Sequence, residues 1–179
     1  MQRQFNVIDF LTRLSRLIER GRTILDAGCG DGLPADAYLV EQGFAVNGID
    51  ASARMIELAR KNVPEGFYEV KDLIDLQEGE YCVDGVVSLR ALLQIPRANY
   101  HAVLTNFASF MPSGGALLLA MALRQREEIG TDPHDATAPW THDGMDGNTE
   151  IIEHAGFSII ADGIDRSGDE TYQIILARS

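Results

Sequence analysis

The run Ile24-Leu25-Asp26-Ala27-Gly28-Cys29-Gly30-Asp31-Gly32 restricts this chain to a narrow set of architectures. Thr23, Ile24 and Leu25 lead into an acidic residue, and three glycines follow at alternate positions before a segment that reads as helix. Strand, glycine-rich turn and helix in that order belong to an α/β sheet, with the turn at the carboxyl edge of the strand. There a glycine lets a ligand approach the backbone with no Cβ in the way. The dinucleotide fingerprint G-x-G-x-x-G fails, because its third glycine would fall on Leu33. That argues against a nicotinamide oxidoreductase. No Gly-Lys-Ser/Thr follows, so a Walker loop is excluded as well. A plain strand-to-helix turn is the structural alternative.

The following segments repeat the pattern. Pro34 suits a first helical turn, where its missing N–H costs nothing, and Ala35 to Glu41 continue as helix until Gly43. Phe44 to Ile49 read as a second strand closed by Asp50, about twenty residues beyond the glycines, where an acidic side chain meets a ribose. A carboxylate can accept from both ribose hydroxyls. Ser52 is an N-cap candidate for a helix with Met55, Ile56, Ala59 and Val63 on one stripe. Residues 66–70 read as a third strand, followed by Lys71-Asp72-Leu73, so Asp26, Asp50 and Asp72 fall at three successive strand ends. Residues 81–88 read as the fourth strand, with Asp84 early in it and Ser88, Leu89 and Arg90 at its carboxyl end. A helix from Asn99 to Met111, the turn Pro112-Ser113-Gly114-Gly115 and the apolar run 116–121 complete the series, the last suited to a buried parallel strand.

Residues 20–122 thereby resemble the class I (seven-β-strand, Rossmann-like) S-adenosylmethionine-dependent methyltransferases. The resemblance implies an α/β fold: a doubly wound, seven-stranded, mostly parallel sheet with an antiparallel last strand and helices on both faces. It implies S-adenosyl-L-methionine as cofactor and S-adenosyl-L-homocysteine as product. In this reading the loop Asp26, Ala27, Gly28, Cys29 and Gly30 lies under the methionine part, with Asp26 organising that end. Ala51 and Ser52 border the ribose and adenine, and Met55 packs on the base or belongs to the core. Asp72 accepts from the adenine amino group and the Leu73 N–H meets a ring nitrogen. Ser88 and Leu89 close the cofactor set, at an edge expected to face the transferring methyl. The fourth strand lacks the N-P-P-Y pattern of amide and exocyclic amine methylases, which points away from those substrates. Residues 148–154 read as a short helix, and residues 159–164 and 171–177 take the places of strands six and seven.

Composition fills in the rest. With 179 residues, 45% of them hydrophobic, the chain suits a single domain over 1–179. Its expected parts are an N-terminal helix (1–22), a cofactor-binding core (23–122), a probable substrate loop (123–146) and a C-terminal helix with strands (147–179). A net charge of −12 with scattered Lys and Arg disfavours nucleic acid and leaves a small-molecule acceptor. There is no apolar run of membrane-spanning length and no signal-peptide pattern, which suggests a cytoplasmic protein. Cys29 and Cys82 are expected reduced and mostly buried, and the histidines lack metal-ligand spacing. His142, His134 and Arg90 are the candidates for a catalytic role, and Trp140 could wall an acceptor. About one helix precedes the first strand, so a second subunit or a partner is a candidate for completing the lid. The alternative function is a catalytically silent cofactor-binding domain that regulates or scaffolds a partner.

Overall fold

The computed structural model describes residues 7–123, 144–166 and 171–179, together with the backbone of 125–126 and 140–141. Nine strands and five α-helices follow in the order α1 (Val7–Leu17), β1 (Thr23–Ala27), α2 (Ala35–Glu41), β2 (Ala45–Asp50), α3 (Ala53–Asn62), β3 (Phe67–Val70), β4 (Gly85–Leu89), α4 (Tyr100–Ser109), β5 (Ala116–Ala122), β6 (Gln125–Arg126), β7 (Trp140–Thr141), α5 (Gly144–His154), β8 (Ser158–Asp165) and β9 (Tyr172–Arg178).

Seven strands form one sheet in the order β3-β2-β1-β4-β5-β9-β8. β9 alone runs against the others, antiparallel to both β5 and β8. This is the doubly wound seven-stranded sheet with an antiparallel last strand that the glycine run and its successors imply. The central strands are apolar on both faces because both are covered. On one face Phe10, Leu11 and Leu14 of α1 pack with Ala35 and Leu39 of α2 against Ile24, Val87, Leu118 and Leu176. On the other, Val103, Leu104 and Phe107 of α4 and Ile152 of α5 cover Leu25, Val86, Leu117 and Ile175. A smaller group, Ile56, Ala59 and Val63 of α3 with Tyr68 and Cys29, seals the β3 end.

Several boundaries differ from the sequence reading. The helix expected over 99–111 begins at Tyr100 after a single 3-10 turn, Arg97–Asn99, because Pro96 cannot continue an earlier helix. Asp84 precedes β4: its Oδ2 accepts the Thr23 N–H at 3.0 Å, tying β1 to β4 at their amino ends. The stretch 123–146 is not wholly loop, since β6 and β7 pair antiparallel inside it and α5 starts at Gly144. Cys29 is buried as expected but Cys82 is exposed, and both thiols are free. Cys82 lies ahead of β4 rather than within it, so the sheet does not cover it. No helix among the described residues is long and apolar enough to cross a membrane.

Candidate functional site

The chain leaves β1 toward β2 on one side, while β4 lies on the other. Loops leaving the carboxyl ends of β1 and β4 therefore diverge, and the crevice between them is where open α/β sheets bind ligands. The turn after β1 is welded to β2: Gly28 and Cys29 both donate N–H to the Ile49 carbonyl, at 2.7 and 2.9 Å. Gly28 has φ +87°, and the space a side chain would need there is filled by the methyl of Ala91, the second residue after β4. Gly30 has φ +56°, and nothing lies within 4 Å of where its Cβ would be. The first glycine admits protein; the other faces open space.

Asp50 holds this loop in place. Its Oδ2 accepts the Gly30 N–H at 3.0 Å and its Oδ1 accepts the Ser52 N–H at 2.8 Å. A carboxylate offers about four acceptor sites, so about two remain for a ligand. Ser52 also caps α3, accepting the Met55 N–H at 3.4 Å, and Ala51, Ser52 and Met55 are all exposed. At the end of β3, Asp72 Oδ1 accepts the Ile74 N–H at 3.1 Å and caps a 3-10 turn, Leu73–Asp75. Leu73 is its first residue, where helical geometry gives the N–H no partner. Ile74, absent from the sequence reading, is an exposed apolar side chain beside it.

At the end of β4 the candidates part company. Ser88 is fully buried, and its hydroxyl donates to the Ala27 carbonyl at 2.7 Å, so it braces β1 against β4 instead of facing the crevice. Leu89 is half-buried. Arg90 is exposed, with φ +64°, its N–H bonded to the Ala120 carbonyl at 3.2 Å and its guanidinium 5.7 Å from the Tyr172 ring centre. Nearby, Asn148 of α5 donates to the Ala122 carbonyl at 3.1 Å and to Gln173 Oε1 at 3.2 Å, and Gln173 donates to Asp162 at 3.2 Å. This buried amide chain fixes α5 to the ends of β5 and β9. His134 and His142 lie outside the described residues; Trp140 is described only by its backbone, which pairs with Arg126.

Asp26 points away from the open side of the loop and is 2% exposed. It faces Asp36 of α2, which is 0% exposed and which the sequence reading missed. The signal was there: in Ala35-Asp36-Ala37-Tyr38-Leu39, Asp36 shares the helix's buried side with Ala35 and Leu39. Asp26 Oδ1, both Asp36 oxygens and the Tyr68 hydroxyl are enclosed without a conventional partner. Burial, then the Asp36 charge, pushes the Asp26 carboxyl well above its ordinary range; burial pushes Asp36 up to about 6. Both shifts favour a protonated acid at this place, the donor that two facing carboxylates lack. Burial and the neighbouring acids push the Cys29 thiol up, which disfavours the thiolate a nucleophile needs. Tyr68 reaches the group by lying across Gly48, which has no Cβ to obstruct its ring. No cluster of three or more metal-ligating side chains occurs among the described residues.

Known proteins resemble this chain in sequence and in fold. The model of a family described as methyltransferase domain matches residues 1–161. An uncharacterized methyltransferase of Synechocystis sp. is 27% identical over 169 residues, covering 90% of this chain and 78% of its own. The chloroplastic magnesium protoporphyrin IX methyltransferase of Arabidopsis thaliana is 30% identical over 141 residues, 70% of this chain but only 43% of that protein. Among solved structures, the magnesium protoporphyrin IX methyltransferase of Synechocystis with bound S-adenosylmethionine superposes with a TM-score of 0.73. It is 23% identical, and the match covers 96% of this chain and 76% of that one.

Proposed function

Because the chain belongs to the methyltransferase-domain family, whose methyl donor is S-adenosylmethionine, we propose that it methylates a small-molecule acceptor. The observation that carries this reading is Asp50, held by two backbone N–H groups at the end of β2 beside the open space over Gly30. Its remaining acceptor sites suit ribose hydroxyls. The loop Ala27–Gly30 lies under the methionine part, Met55 and Ile74 flank the adenine, and Asp72 with the Leu73 N–H reads its edge. The exposure of Met55 and Ile74 on one sheet edge fits a flat apolar ring between them.

When bound, the donor supplies an electrophilic methyl on a sulfonium that leaves as a neutral thioether. This chain's part is alignment. The weld of Gly28 and Cys29 to Ile49, and of Gly30 to Asp50, fixes the loop before a ligand arrives, so little ordering is left to complete. Asp26 and Asp36 are buried together behind the loop, and their task is to support it. An acidic chain of net charge −12 is a poor partner for nucleic acid, and the Arabidopsis relative is named for a small molecule.

Calorimetric titration with S-adenosylhomocysteine, with NADH as control, tests the cofactor half. Micromolar binding of the first and none of the second is expected, and the reverse would overturn the reading. Turnover of a metabolite panel then tests the acceptor half. Binding without any turnover would instead favour a silent regulatory domain.

A further inference from the structure

Among the described residues ten adopt a left-handed backbone; nine are glycines and the tenth is Arg90. Glycine holds that conformation freely, whereas a long side chain pays roughly 1–2 kcal/mol. The turn itself is dictated by its neighbours: the Arg90 N–H is tied to the Ala120 carbonyl, and Ala91 is seated on Gly28. The backbone there calls for glycine, and the chain carries a cation. Strain of this kind collects where a side chain has a task.

The surroundings narrow that task. Arg90 follows β4 directly, so its backbone borders the crevice between the β1 and β4 loops, and its side chain reaches across the end of β5 to Tyr172 at the start of β9. Among the described residues no carboxylate pairs with it, in a chain with 27 Asp and Glu. Its guanidinium lies 5.7 Å from the Tyr172 ring centre, a contact that leaves its N–H groups for another partner. A planar fork of donors held in one plane suits a carboxylate bidentately. We propose that Arg90 is the acceptor anchor, and that the acceptor carries a carboxylate which Arg90 binds beside the methyl donor. This rests on the methyltransferase reading above and names its substrate class. The overall negative charge slows encounter with an anion, but the local pair sets how long it stays.

The test is a titration of the S-adenosylhomocysteine-loaded protein with benzoate, and with benzamide as its neutral counterpart, following the Arg90 Nε–H resonance by NMR. The resonance is identified by its loss in Arg90→Gly. Benzoate should shift it saturably and benzamide should leave it in place. Arg90→Gly should bind benzoate at least tenfold more weakly while melting higher than the parent, since strain is relieved. Arg90→Asn, which tolerates the left-handed backbone without a charge, should lose benzoate equally. An unmoved resonance, an equal response to benzamide, or unchanged benzoate affinity in either variant would overturn the proposal. The same titration without S-adenosylhomocysteine reads the anion site alone, so failure of the cofactor reading and failure of the anchor are seen separately.

Discussion

The methyl of Ala91 occupies the space that a side chain on Gly28 would need. One residue belongs to the turn after β1 and the other to the turn after β4, so the two walls of the crevice are fitted to each other through a missing Cβ. Gly28 is therefore a packing residue as well as a candidate ligand-binding one.

Gly28→Ala should accordingly destabilise the fold. Overlap with Ala91 costs about 1–3 kcal/mol, and the φ of +87° adds strain. Urea denaturation of Gly28→Ala, Ala91→Gly and the double variant measures the coupling. The double variant should recover at least half of the loss; strict additivity would show that the two residues do not meet.

Gly30→Ala should do the opposite. Its Cβ meets no protein atom within 4 Å, so stability should fall by only about 1 kcal/mol from the left-handed backbone. The new methyl projects toward the proposed ligand space, and S-adenosylhomocysteine affinity by calorimetry should drop more than tenfold. An unchanged affinity would place the ligand elsewhere.

Asp50→Ala removes the acceptor for the Gly30 and Ser52 N–H groups together with the proposed ribose contact. Cofactor affinity should weaken by at least tenfold, about 1.4 kcal/mol. Near-parental binding would remove Asp50 from the site.

The buried acids set a pH dependence of known sign. Asp36 rises from an ordinary 3.8 to about 6 in the fold, so the native state holds a proton that the unfolded chain releases. Its contribution is fully present below the unfolded value and is lost as pH climbs from about 4 through 6. Two units correspond to about 3 kcal/mol at most. Asp26, also raised, extends the loss to higher pH. Asp36→Asn keeps a neutral donor beside Asp26 at every pH, so its melting temperature should match the parent near pH 4 and exceed it at pH 8. A constant offset across that range would show that Asp36 does not titrate as described.

The course of β1 to β5 was readable because each element announces itself locally: apolar runs, glycine after Ala27, Ser52 at a helix start, the Pro112–Gly115 turn. Asp50 was readable because its distance from the glycines is fixed by one helix and one strand. What escaped are relations between residues far apart in sequence. Asp36 falls on the buried side of its helix, but only the packing of α2 on β1 identifies Asp26 as the group it meets, and Ala91 is an unremarked alanine until Gly28 lies beneath it. Ser88 stands at the right strand end, but only the register of β4 against β1 shows its hydroxyl committed to Ala27. Gly48 is one more residue of a strand in the sequence, and only pairing with β3 shows the Tyr68 ring lying across it.

The short ladder of β6 with β7 joins Gln125 to Thr141 and Arg126 to Trp140 at the foot of the segment after β5. Closing a loop at its foot makes its length cheap, since doubling the enclosed chain adds only about 0.6 kcal/mol. A paired foot at 125–126 and 140–141 thus separates the stability of the sheet that carries Asp50 and the glycine turn from the length of chain beyond that foot. Change in the chain beyond that foot and constancy in the sheet are therefore compatible within one fold.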